Sequence, residues 1–199
     1  MSSPWLLASV IISLLAAMTN LVRRQWLVNI IALAIQYLAV FIFMTSVRTP
    51  SLAVIKLLVG WMVTLTLYIT LVSVGDIYQL KTRFRLSIGE VFRALAGLFM
   101  ILICILFLPE IKANVFPQTG DYLLLTSFGL MGLGLLQAGM ISEPFYIIIG
   151  LLTFLSGFEL LYASLELSTL LEALFAGVNL GLGLVGAYFL VKDSETETP

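Results

Sequence analysis

Four polar side chains stand inside runs of apolar sequence long enough to cross a bilayer: Gln36, Lys56, Glu159 and Asn179. A carboxyl group in hydrocarbon is costly when charged, so Glu159 is a candidate to take up and release a proton. Lys56 would modulate that exchange through its charge, and the two amides would hold water or hydrogen-bond the ionised forms. The spacing ties these residues into pairs. Glu159 and Asn179 are twenty residues apart, with their midpoint beside a short polar break at 164–169. Gln36 and Lys56 show the same spacing around the turn at 46–50. Folded as antiparallel hairpins, each pair meets at a similar depth, roughly 12–18 Å from the 164–169 break for the second pair at about 1.5 Å per residue.

Each residue also has a plainer role. Asn179 can be interhelical glue, and Glu159 a protonated helix contact. Lys56, about two turns into its span, can snorkel to the near interface. Glu172 falls at the end of Thr169-Leu170-Leu171-Glu172, a capping-box spacing that makes it a helix-start residue and not a proton carrier. Glycines crowd the fifth and seventh spans, and Gly177-Val-Asn-Leu-Gly181 matches the GxxxG pattern that lets another helix approach closely. Gly177, Gly181 and Gly183 are read as helix-packing positions.

Composition sets the class. The chain has 199 residues, of which 61% are hydrophobic and 11% charged, against roughly half and a quarter in soluble domains. It reads as an all-α polytopic membrane protein whose native solvent is the lipid bilayer. There is no histidine, and Cys104 is the one cysteine, which excludes an intrachain disulfide and a His/Cys metal or haem site. No cofactor and no nucleic-acid partner are expected, and glycines inside a span cannot cradle a nucleotide phosphate. The first apolar run lacks a basic leader and a small-residue cleavage site, so it reads as a retained span.

Seven spans are expected: 4–22, 26–45, 51–74, 87–108, 122–141, and two within 144–192 separated by the 164–169 break. Pro109 is expected to close the fourth span, and Ser87-Ile88-Gly89-Glu90 to open it as a capping box. With the N-terminus outside, inner segments hold Arg23, Arg24, Lys81, Arg83, Arg85, Arg93 and Lys192, and outer ones only Arg48 and Lys112. That bias puts the C-terminus in the cytoplasm. The basic stretch around 80–99 reads as an interfacial anchor or a docking surface for another subunit. Residues 1–192 form one transmembrane domain, and 193–199 an acidic, disordered tail. Within the domain, 1–74 and 121–192 are three-helix units entering from the same side, joined by a connector at 75–120. The matched placement of polar pairs suggests a parallel duplication.

The stretch LMGLGLLQAGMISEPFYIIIGLLTFLSGFELLYASLE resembles the first two helices of the K-type (NADH-ubiquinone oxidoreductase chain 4L) subunit, with Gly157-Phe158-Glu159-Leu160-Leu161 on that family's glutamate motif. Asn179 falls near the second acid of that family, so the resemblance does not supply a two-carboxylate relay. Along most of its length the chain is similar to membrane component E of hydrogenase-4-type complexes. The similarity runs through Ile35–Leu38, Val54–Val59, Tyr78–Phe107 and Pro144–Lys192. The resemblance implies a cofactor-free subunit in the ion-translocating membrane arm of a complex I-related respiratory complex in a bacterial or archaeal cytoplasmic membrane. Its partners would be antiporter-like subunits and quinone- or hydrogenase-module subunits. The path for protons or sodium would run through Lys56, Gln36, Glu159 and Asn179. A free-standing small-solute transporter and a structural or assembly subunit without an ion path are the rival readings.

Overall fold

Apolar stretches of about twenty residues satisfy their backbone groups internally only as helices, and the computed structural model is all-helical among its described residues, 4–46, 50–74, 87–165 and 168–197. Seven helices follow one another: α1 (Pro4–Val22), α2 (Trp26–Met44), α3 (Pro50–Ser73), α4 (Ile88–Asn114), α5 (Asp121–Met140), α6 (Pro144–Leu165) and α7 (Thr169–Glu197). All seven are long and apolar enough to span a membrane. The chain is a helical integral membrane protein.

Local chemistry sets most of the boundaries. Pro50 and Pro144 each occupy the first turn of a helix, where a missing N–H costs nothing. The Glu90 carboxylate accepts a 2.9 Å hydrogen bond from the Ser87 backbone N–H, as a capping box requires. Two expectations need correcting. Pro109 does not end α4, which runs on to Asn114; a proline within the last turns forfeits one backbone bond while its neighbours keep theirs, and the connection shrinks to 115–120. Lys112 and Asp121 form an ion pair across that connection. The backbone of 193–197 continues α7 as helix, because extending an existing helix needs no new nucleation. The basic residues Lys81, Arg83 and Arg85 lie outside the described residues, as do Arg48 and Glu166.

The helices pack as two layers of three with an outrider. α1 lies against α2 and α5, α2 against α3 and α6, and α6 against α5 and α7, while α3 packs on α7. The first three helices therefore meet the last three in order, α1 with α5, α2 with α6 and α3 with α7. α4 leans on α1 and α5 and turns a continuous apolar face, from Phe92 to Phe107, outward.

The closest approach is between α5 and α6. A Cβ added to Gly134 would stand 2.5 Å from the Gly150 carbonyl oxygen and 2.5 Å from the Phe154 nitrogen, so the two backbones touch there. Gly183 packs on Val63 of α3, but nothing lies within 4 Å of a Cβ at Gly177 or Gly181. The GxxxG pair therefore faces away from the bundle and seats no described helix of this chain. This contrast gives a direct prediction. Gly134→Ala must push two backbones apart and is expected to destabilise the protein by about 1–3 kcal/mol, whereas Gly181→Ala leaves stability unchanged or slightly raised. Unfolding in mixed micelles with increasing SDS would measure both; equal effects would contradict the packing described.

Candidate functional site

Lys56 and Glu159 reach the same depth from two different hairpins. Lys56 lies six residues past the start of α3 and Glu159 six residues before the end of α6, about 9 Å along each helix. Their side chains form an ion pair within the bundle, and they are only 7% and 6% exposed. Lys56 does not snorkel: its ammonium turns inward to the carboxylate. An ion pair removed from water in this way is costly unless its remaining hydrogen-bonding positions are filled. Here they are. Asn179 Nδ2 donates to Glu159 Oε1, opposite the oxygen held by Lys56.

The orientation of the Asn179 amide follows from its neighbours. Its nitrogen also donates to the Phe175 carbonyl at 3.0 Å, and its oxygen accepts from the Tyr37 hydroxyl at 3.1 Å. Two acceptors on one side and a hydroxyl on the other leave no alternative flip. Tyr37, on α2, is fully buried, and its ring lies 5.5 Å from the Lys56 ammonium in cation–π geometry. Gly60 makes room for that ring: a Cβ there would stand 2.5 Å from Tyr37 Cγ. Since Gly60 is one turn after Lys56 on α3, the helix presents the ammonium and the gap for the ring on one face.

Four helices thus contribute one group each: Tyr37 from α2, Lys56 from α3, Glu159 from α6 and Asn179 from α7. Three of the four site residues read from the sequence meet here. Gln36 does not touch the ion pair. It is buried beside Tyr37 on α2 and accepts a 3.4 Å bond from Thr153 Oγ1, while its Nε2 has no protein partner. Two further buried amides continue toward the other end of the bundle. Asn29 stands two turns from Gln36 on the same face of α2, and its Nδ2 donates at 3.4 Å to the backbone carbonyl of Asn20 on α1. Asn29 Oδ1 and both side-chain polar atoms of Asn20 lack protein partners. Such groups cost about 1–3 kcal/mol each when left unsatisfied, and are normally satisfied by ordered water.

Sequence reading missed Tyr37, Gly60, Asn20 and Asn29. An aromatic ring or a glycine in an apolar span looks like packing, but the i, i+7 spacing of Asn29 and Gln36 was an available signal. Among the described residues no group of histidine, cysteine and carboxylate side chains could hold a metal ion.

The arrangement favours one kind of chemistry. Both oxygens of Glu159 face N–H donors, one an ammonium and the other an amide. A metal cation such as sodium needs oxygen ligands there and would have to displace both donors. A proton needs only the carboxylate itself. Protonating Glu159 would leave the buried Lys56 ammonium without the carboxylate that now faces it. No protein-family model, curated protein or solved structure matches this chain.

Proposed function

We propose that this protein is a non-catalytic membrane subunit through which protons cross part of the bilayer, with Glu159 as the group that takes up and releases them. The observation that carries the reading is the buried Lys56–Glu159 pair braced by Asn179 and Tyr37. The Lys56 ammonium faces the carboxylate here, and Glu159 would exchange its proton when a small helix movement separates the two. The unsatisfied amides of Gln36, Asn29 and Asn20 supply water-holding positions toward the other side of the bundle.

The sequence resemblance to complex I-related subunits supplies the setting: a membrane arm whose redox partner drives these movements, built with antiporter-like and quinone- or hydrogenase-module subunits in a bacterial or archaeal cytoplasmic membrane. A parallel three-plus-three duplication would account for the ordered pairing of α1, α2 and α3 with α5, α6 and α7. Sodium is the second ion such complexes could move, and the donors around Glu159 argue against it.

The test of the setting is co-purification. From native membranes in mild detergent the protein should leave with redox and antiporter-like subunits, and alone in proteoliposomes it should move no ions. Solute uptake by the isolated protein would favour the transporter reading. Topology provides a further prediction, from the clustering of Arg23, Arg24, Arg93 and Lys192. A reporter fused after the C-terminus should be cytoplasmic and one inserted at 115–120 external; finding both on one side would overturn the orientation.

A further inference from the structure

Beside the ion pair, between α3, α6 and α7, lies a cavity of about 30 Å³. That is room for about two water molecules. Its floor is Lys56, Glu159 and Asn179, and its walls include Tyr162, Phe175 and Glu172. Glu172 lines this cavity as well as standing at a helix start. It sits in the first turn of α7, and its Oε1 is shielded from solvent. Glu172, Phe175, Ala176 and Asn179 fall at i, i+3, i+4 and i+7, one continuous face of α7 directed at the cavity. Along that face Glu172 is about 4.5 Å from the start of the helix and Asn179 about 15 Å. Glu172 thus stands nearer the α6–α7 turn than Asn179 on the face that lines the cavity.

We propose that Glu172 is the outlet carboxylate of the Glu159 site, reached through the water cavity, and that the Phe175 ring closes the passage between them. The inference rests on Glu159 exchanging a proton. In the transfer, one O–H bond breaks at protonated Glu159 and one forms at the Glu172 carboxylate. The intervening waters each give up one proton and gain another, so one proton moves and no other species is consumed. Phe175 lies on the α7 face between Glu172 and Asn179, the residue that holds Glu159. Its ring is held edge-on by Phe158 and by Tyr162 of α6, with centroids 5.6 Å away in both cases. The carbonyl of Phe175 accepts from Asn179, whose amide also holds Glu159. Movement of the Glu159 carboxylate is thereby coupled to the segment that carries the closing ring.

The test uses the full protein in its native complex, in sealed vesicles, with Cys104→Ser as background. Ala176→Cys should react with a membrane-impermeant cationic methanethiosulfonate added on the side of the α6–α7 turn. Val178→Cys, on the exposed apolar face of α7, should not. Adding Phe175→Ala should raise the Ala176→Cys rate by about tenfold, equivalent to about 1.4 kcal/mol in the opening equilibrium. Glu172→Gln should lower proton translocation about tenfold or more with the complex assembled. Failure of Ala176→Cys to react from either side, with or without Phe175→Ala, would overturn the passage. Full translocation with Glu172→Gln would overturn the relay. If Glu159→Gln still abolishes translocation in either case, only this outlet fails. If Glu159→Gln is harmless while Ala176→Cys labels, the underlying assignment of Glu159 fails instead.

Discussion

Glu159→Gln is expected to leave the complex assembled and to abolish most of its coupled proton movement. The substituted amide keeps the size of the side chain, and its one oxygen can accept from Lys56 or from Asn179 but not from both, so the four-helix junction should persist at reduced stability. It cannot release a proton. Proton transfer by a positioned side chain is worth roughly 10²–10⁴ in rate, so translocation through this route should fall by about that factor. Redox turnover, which the proposed function assigns to other subunits, should continue uncoupled. Glu159→Asp should retain part of the activity, because the carboxylate remains but no longer reaches both Lys56 and Asn179. Proteoliposomes holding the whole complex would show this as protons moved per electron transferred. Full coupling in the Gln variant would leave Glu159 a packing role.

The second large effect is on stability. Lys56→Met removes the ammonium from a carboxylate that is 6% exposed and should destabilise the protein by about 3–5 kcal/mol, the range for breaking one partner of a buried pair. The double substitution Lys56→Met with Glu159→Leu removes both charges and should recover most of that loss, since apolar replacement of a buried pair is often neutral or stabilising. Asn179 and Tyr37 would still bond one another in the double variant, with one Asn179 donor left to find another partner. Unfolding of the purified complex in mixed micelles with SDS would measure the cycle. Additive effects of the two single changes would contradict a direct interaction.

The contrast between these two predictions separates function from architecture. A pair kept only for packing should be replaceable by apolar residues without loss of coupling. A pair kept for proton exchange should tolerate the replacement in stability and fail in pumping. The stability cycle and the pumping assay read the same two residues in different terms.

Much of the fold was legible because each span is an uninterrupted apolar run closed by charge, proline or a polar break. The hairpin arithmetic brought Glu159 to Asn179, whereas the equal depth of Lys56 and Glu159 emerges only from the helix bounds of the structure. What the sequence could not supply was the partner across the bundle. Lys56 and Glu159 are 103 residues apart in sequence, and their meeting depends on how α3, α6 and α7 pack together. The same packing explains the other misses. Tyr37 reads as one more apolar aromatic until Gly60 is seen to give it room beside Lys56. Gln36, matched to Lys56 by spacing, turns instead to Thr153 of α6. Glu172 has the spacing of a helix cap, which hides that its face of α7 lines the cavity. Pro109 shows the opposite limit: a residue that ends most helices is absorbed near the end of α4.

The most direct test of the central claim is the protonation state of Glu159 during turnover. Redox-triggered infrared difference spectra of the assembled complex, in native and Glu159→Gln forms, would read the carboxylic C=O stretch of a buried acid. A protonated-carboxyl band that rises or falls with turnover in the native complex and is missing from the Gln variant is the result predicted here. The same band, unchanged in the Gln variant, would show that another acid carries the proton and that the Lys56–Glu159 pair is architecture alone.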